Sequence, residues 1–251
     1  MGNKELKDNY NAIYRAGAYE SFYSFSNTEE MLAIASSENW SGKKIFEIGS
    51  GEGDLAALIS MCGGTVLAVD YAESAIEIAK SRYSRPNLEF RCCDYKDISQ
   101  KFDIVVMQGV LEHLDDPFNT LKILASEYID KGGKIITSSP SFLNPRGYIW
   151  MALQLLLDVP MSLSDLHFLC PFDFEQYAQL LGAQLTYASV DQDWGHGKRL
   201  IIDLDKRLRN AFRDRGLPAN VDRFIDWLSH TLKYTSYTQF SGCNVIYKFM
   251  F

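Results

Sequence analysis

Short apolar, β-branched runs separated by amphipathic stretches constrain this 251-residue chain more than any other feature. The runs are "KIFEIG" at 44–49, "TVLAVD" at 65–70, "LEFRCCD" at 88–94, "FDIVVMQ" at 102–108 and "GKIITSS" at 133–139. Between them, "DLAALISMC", "AESAIEIAKSRY" and "DPFNTLKILASEYI" carry apolar residues at three- and four-residue spacing, the helical period. Such alternation folds as right-handed βαβ units in a parallel sheet covered on both faces. "DIVVM", apolar throughout, fits a strand buried on both faces. The expected fold class is therefore α/β, doubly wound and mostly parallel.

After Pro140 the rhythm changes. An apolar stretch "YIWMALQLLL", a linker reaching "SDLHFLCP", a helical "FDFEQYAQLLGA", a strand "QLTYASVDQD", a helical stretch from Leu204 to about Lys233 and a last strand "CNVIYKFMF" follow. The expected organisation is one domain over 1–251: an N-terminal helical cover over 1–40, a nucleotide-binding core over 43–139, and insertions with the last strands over 140–251.

The turn "EIGSGEGD" at 47–54 joins the first run to the first helical stretch. Its glycines, Gly49, Gly51 and Gly53, are spaced GxGxG, whereas a pyrophosphate-binding dinucleotide turn reads GxGxxG. The sixth position of that frame is Asp54, and Glu52 stands in the same turn. Two carboxylates there oppose a bound pyrophosphate and weigh against NAD or FAD. Asp70 closes the second run about 20 residues after the turn, where a carboxylate accepts both ribose hydroxyls. The pattern points to a nucleoside without a pyrophosphate, and Glu47 favours a cationic one.

Composition narrows the partner. The net charge of −7 disfavours nucleic acid, whose binding depends on phosphate neutralisation, so a small-molecule acceptor is expected. The five cysteines and four histidines show no ligand spacing, and no metal site is expected. The start "MGNKELKDNY" lacks an apolar leader, and the window from Tyr148 is interrupted by Asp158 and Pro160. The chain is expected to be cytoplasmic, without a membrane span, as a monomer or homodimer.

Taken together, "EIGSGEG", "LAVD", "CCDYKD" and "FDIVVMQGVLEHLDDP" resemble the class I S-adenosylmethionine-dependent methyltransferases, and "VLEHLDDP" is similar to the quinone-biosynthesis O-methyltransferase branch. The resemblance covers roughly Lys43 to Ser139 and implies a seven-stranded Rossmann-like sheet with helical insertions after strands 5 and 6. It also implies the cofactor, S-adenosyl-L-methionine, which leaves as S-adenosyl-L-homocysteine. By the same resemblance Gly49, Ser50 and Gly51 line the methionine part, with Glu47 near the turn. Asp70 holds the ribose, Tyr71 flanks the adenine, and Asp94 meets its amino group beside Tyr95. Gln108 and Gly109 lie near the transferable methyl. Tyr14, Arg15 and Tyr19 are candidates to close over the cofactor, Tyr14 or Arg15 reaching its carboxylate.

A sulfonium methyl is already activated, so the protein has mainly to align an acceptor and exclude water. A base matters only where the acceptor must lose a proton. His113, just beyond the fourth run, is the leading candidate, and His167 in "SDLHFLCP" is the second; either also suits a structural hydrogen bond. His196 and His230 are background. The expected activity is methyl transfer to a small molecule, at a hydroxyl or phosphate oxygen. Alternatives are N-methylation, an NAD-dependent oxidoreductase, or a non-catalytic binding protein of the same fold.

Overall fold

A computed structural model of the chain describes residues 11–12, 28–159, 162 and 165–251. One seven-stranded sheet carries β1 (Lys44–Ile48), β2 (Thr65–Asp70), β3 (Leu88–Cys92), β4 (Phe102–Gln108), β5 (Ile129–Pro140), β6 (Gln184–Val190) and β7 (Asn244–Met250) in the order β3-β2-β1-β4-β5-β7-β6. The pairs from β3 to β5 are parallel, and β7 runs antiparallel to both its neighbours. The order reverses between β1 and β4, and in open α/β sheets that switch point opens the ligand crevice.

Period-two alternation splits the apolar strands between two cores. Ile45, Val66, Ala68, Ile104, Val106 and Ile136 face one side, where α1 (Thr28–Ser36) adds Ile34 and Ala35. Phe46, Leu67, Val69, Val105, Met107 and Ile135 face the other, with Phe174 and Ala178 of α6 (Pro171–Leu181). The helices α2 (Asp54–Met61), α3 (Glu73–Arg82) and α4 (Pro117–Ile123) connect the parallel strands. Asp116 caps α4 by accepting from the Asn119 N–H, and Pro117 occupies the first turn, where its missing N–H costs nothing.

Three expected boundaries shift. The helix expected through Ile129 ends its regular turns at Ile123 and widens into a π-turn over Leu124–Tyr128. The fifth strand starts at Ile129 rather than Gly133, because a bulge lets Phe102 pair with Ile129 while Ile104 pairs with Lys134. The expected continuous helical stretch from Leu204 is instead two helices, α8 (Lys198–Asp214) and α9 (Val221–Thr231), parted at Gly216, whose φ of +63° stops the helix ahead of Pro218. With α5 (Pro145–Leu157) they enclose a third apolar cluster around Phe142, Trp150, Leu204 and Leu228, and the short α7 (Gln192–His196) joins β6 to α8. Among the described residues no helix is long and apolar enough to cross a membrane.

Candidate active site

The carboxyl ends of β1, β2 and β4 surround the glycine turn. Gly49, Gly51 and Gly53 all have positive φ (72°, 51° and 85°), the region that favours glycine. A Cβ on Gly49 would stand 2.6 Å from Val110 Cγ2, and one on Gly53 2.6 Å from Phe90 Cζ. Gly53 thus permits the close packing between the helix after the turn, β3 and α3. The two carboxylates that trail in the turn are engaged by the end of α3: Glu52 pairs with Arg82, and Asp54 accepts from the Tyr83 hydroxyl.

Asp70 ties the turn to β2. Its Oδ2 accepts from the Gly51 N–H (2.9 Å) and its Oδ1 from the Ala72 N–H (2.8 Å). Burial raises its pKa and these backbone bonds offset part of the rise. Each oxygen keeps a lone pair, so the group is still able to accept from a vicinal diol. Glu47 on β1 is only 2% exposed, and its Oε2 has no hydrogen-bond partner. Burial, with Asp70 and Asp54 adding, pushes it up to about 8. A buried carboxylate without a cation is costly unless it is protonated or a ligand supplies one.

The remaining expected residues divide. Tyr71 is partly buried beside Asp70, and burial, with Asp70 adding, raises its hydroxyl. Asp94 is exposed and accepts from the Lys96 N–H, capping the turn after β3; Tyr95 is half-buried with its ring 6.1 Å from that of Tyr128. Gln108 ends β4, and Gly109 takes a φ of +63° while its N–H donates to the Ser138 carbonyl. Ser50 Oγ is buried without a partner. Tyr14, Arg15 and Tyr19 lie outside the described residues.

Both candidate histidines belong to one corner beyond β4. His113 ends the 3₁₀ turn Leu111–His113, with Nδ1 3.5 Å from Asp165 Oδ1. The Glu112 carbonyl accepts from the Leu166 (2.8 Å) and His167 (3.1 Å) N–H groups, which fastens the 165–167 loop to that turn. His167 Nε2 is buried without a partner.

Sequence reasoning missed four acids here. Glu30 of α1 accepts from Gln108 Nε2 at 2.9 Å, Glu112 accepts from Ser139 Oγ at 3.2 Å, Asp191 after β6 accepts from Asn244 Nδ2 at 3.1 Å, and Asp165 faces His113. Glu112 was in sight inside "VLEHLDDP", but Glu30 and Asp191 carry no sequence signal. Acidic residues in a helix's first turn and in a turn after a strand are ordinarily solvated.

Comparison with known proteins agrees with this geometry. Residues 46–137 match the family described as "Methyltransferase domain". The ubiquinone biosynthesis O-methyltransferase of Coxiella burnetii is 29% identical over 153 residues, covering 57% of this chain and 64% of that protein. The same-named protein of Acinetobacter baylyi is 27% identical over 136 residues, covering 50% and 56%. The chain thus spans less than two thirds of the length of these relatives. Two solved structures share the fold. One is a possible histamine N-methyltransferase of Thermotoga maritima (TM-score 0.59, 15% identity, 95% of this chain and 97% of that one). The other is the magnesium protoporphyrin IX methyltransferase of Synechocystis with bound S-adenosylhomocysteine (0.53, 15%, 94% and 84%). Residues 46–137 of this chain thus match a methyltransferase domain, and the chain as a whole shares its fold with these two solved structures.

Proposed function

We propose that the chain is an S-adenosylmethionine-dependent methyltransferase acting on a small-molecule acceptor, with a hydroxyl oxygen as the receiving atom. The observation that carries this reading is the pairing of an unpartnered, buried Glu47 with Asp70 across the glycine turn, a donor set suited to a cationic nucleoside. When bound, the cofactor supplies a methyl on a positively charged sulfur. Glu47 and the backbone at Gly49, Ser50 and Gly51 hold its amino-acid end, and Asp70 accepts from its ribose hydroxyls. Tyr71, Asp94 and Tyr95 edge the adenine. Gln108 and Gly109 border the space through which the methyl passes.

On the acceptor side, Asp165 Oδ1 stands 3.5 Å from His113 Nδ1, the arrangement by which a carboxylate orients an imidazole base towards a hydroxyl proton. The loop bearing His167 closes the same corner and keeps water out. Names of the curated relatives support oxygen as the acceptor atom. A second reading, nitrogen, is favoured by the buried acids near Gln108.

Incubation with methyl-labelled S-adenosylmethionine and a panel of hydroxylated, phosphorylated and amino metabolites tests the proposal. The panel is first ranked by thermal shift with S-adenosylhomocysteine present. Label in a hydroxylated product, lost in His113→Ala, supports the oxygen reading; label in amines alone replaces it with the nitrogen one.

A further inference from the structure

The chain treats its buried carboxylates in two ways. Asp203 is only 2% exposed and is answered from both sides: Arg146 Nε donates to its Oδ2 (2.8 Å) and Arg207 Nη2 to its Oδ1 (2.8 Å). Both guanidiniums also stand over the Trp150 ring, each 4.7 Å from its centroid. These cations pull Asp203 below its ordinary range despite burial. This is what a structural buried carboxylate requires.

Glu30, Glu112 and Asp191 are as deeply buried (3%, 3% and 4% exposed) and receive no such answer. Among the described residues none of them forms an ion pair with a lysine, arginine or histidine. Their charged neighbours are acids instead. Burial raises all three, Asp165 and Glu30 raise Glu112 further, and Asp191 is pushed up to about 7 with Glu29 and Glu30 beside it. Their neutral side-chain partners are Gln108, Ser139 and Asn244, and Asp191 also shares a hydrogen bond with Glu29, another acid.

A second observation points to a ligand. Ser138, fully buried on β5 and in register with Gln108, stands next to Glu30, yet its Oγ makes no hydrogen bond of acceptable geometry. Asp191 Oδ1 is likewise buried without a partner. The group meets the methyl-donor side at Gln108, whose amide donates to Glu30, while Glu47 is flanked by Asp70 and Asp54 at the glycine turn. Two sets of cation-poor carboxyls therefore flank the sheet's switch point. One lies at the glycine turn and the other lies past Gln108 toward β5 and β7.

We propose that Glu30, Glu112 and Asp191, with Ser138, form a subsite for a protonated amine on the acceptor. The acceptor class is a small amino compound, an amino alcohol where the methylated atom is oxygen. This rests on the methyltransferase reading and adds to it the charge of the acceptor. The ammonium donates to Glu30, Asp191 and Ser138, and its charge replaces the missing arginine. The opposite edge of the acceptor points to Gln108 and His113.

Three probes of one shape test the assignment: benzylamine, benzyl alcohol and benzoate, titrated into full-length protein saturated with S-adenosylhomocysteine and followed by ligand-observed NMR. Benzylamine is expected to bind at least ten times more tightly than benzyl alcohol, and benzoate not at all. Glu30→Gln and Asp191→Asn are each expected to reduce benzylamine affinity about tenfold with S-adenosylhomocysteine affinity unchanged. Ser138→Ala, which removes one buried hydroxyl and keeps the fold, is expected to weaken it several-fold. Equal binding of the amine and the alcohol, no amine binding at all, or an amine preference intact in the variants overturns the proposal. Failure of the wild-type protein to bind S-adenosylhomocysteine instead defeats the methyltransferase reading, so the two failures are distinguishable.

Discussion

The β1–β2 end of the sheet and the β5–β7 end solve the same problem, a carboxyl group out of water, by different means. At the first, Asp70 is held by two backbone N–H groups within a turn whose glycines are close by in the chain. At the second, Glu30, Glu112 and Asp191 come from α1, the turn after β4 and the end of β6, and each accepts from a neutral side chain. Local backbone geometry builds the end proposed for the methyl donor, and long-range packing builds the end proposed for the acceptor. A fold hosts many chemistries through the sites grafted on it, and under the proposal it is the second end that tells one acceptor from another.

The largest effect that sharpens this division is on the acceptor side. His113→Ala is expected to cut turnover by about 10²- to 10⁴-fold, the range of general acid–base catalysis, while S-adenosylhomocysteine affinity stays at the wild-type value. Asp165→Asn keeps the shape and is expected to move the pH–rate profile as well as its height. A parallel loss of cofactor affinity would place His113 on the donor side and break the comparison.

Next come the backbone-built features. Gly53→Ala introduces a Cβ 2.6 Å from Phe90 Cζ at a φ of +85° and is expected to lower unfolding free energy by about 2–4 kcal/mol in urea titrations. Asp70→Ala removes a buried acceptor of two N–H groups and is expected to weaken S-adenosylhomocysteine binding by about 1–3 kcal/mol in calorimetry. Wild-type affinity in that variant would remove Asp70 from the ribose site.

A pH dependence tests Glu47. Glu47 rises from an ordinary 4.5 to about 8 in the fold, so its contribution to stability is fully present below pH 4.5 and is lost as pH climbs through about 8. Each pH unit crossed costs up to about 1.4 kcal/mol. Glu47→Gln is therefore expected to melt with the wild type near pH 4.5 and up to roughly ten degrees above it at pH 8, in the absence of ligand. A saturating cationic cofactor reverses the order at pH 8. Identical melting curves at both pH values would mean that Glu47 stays solvated.

The donor side was legible in the sequence for the same reason that it is local. Strand runs, glycine spacing and the Asp70 carboxylate all lie in one contiguous stretch, which supplies the five strands β1 to β5 of the seven-stranded sheet. Of the corner beyond β4, the sequence singled out only His113 and His167. Glu30 sits in "TEEMLAIAS", where an acidic first turn reads as solvent-facing; only the docking of α1 on β6 and β7 buries it. Asp191 follows β6 in a left-handed conformation (φ 58°) that composition does not announce. The bulge in β5 and the break at Gly216 were missed because both depend on how neighbouring elements pack rather than on apolar spacing.

Calorimetry of the wild-type protein with S-adenosylhomocysteine, and separately with NADH, tests the central claim. Saturable binding of S-adenosylhomocysteine, weakened in Asp70→Ala, with no heat from NADH is the predicted result. Binding of NADH without any binding of S-adenosylhomocysteine would contradict it.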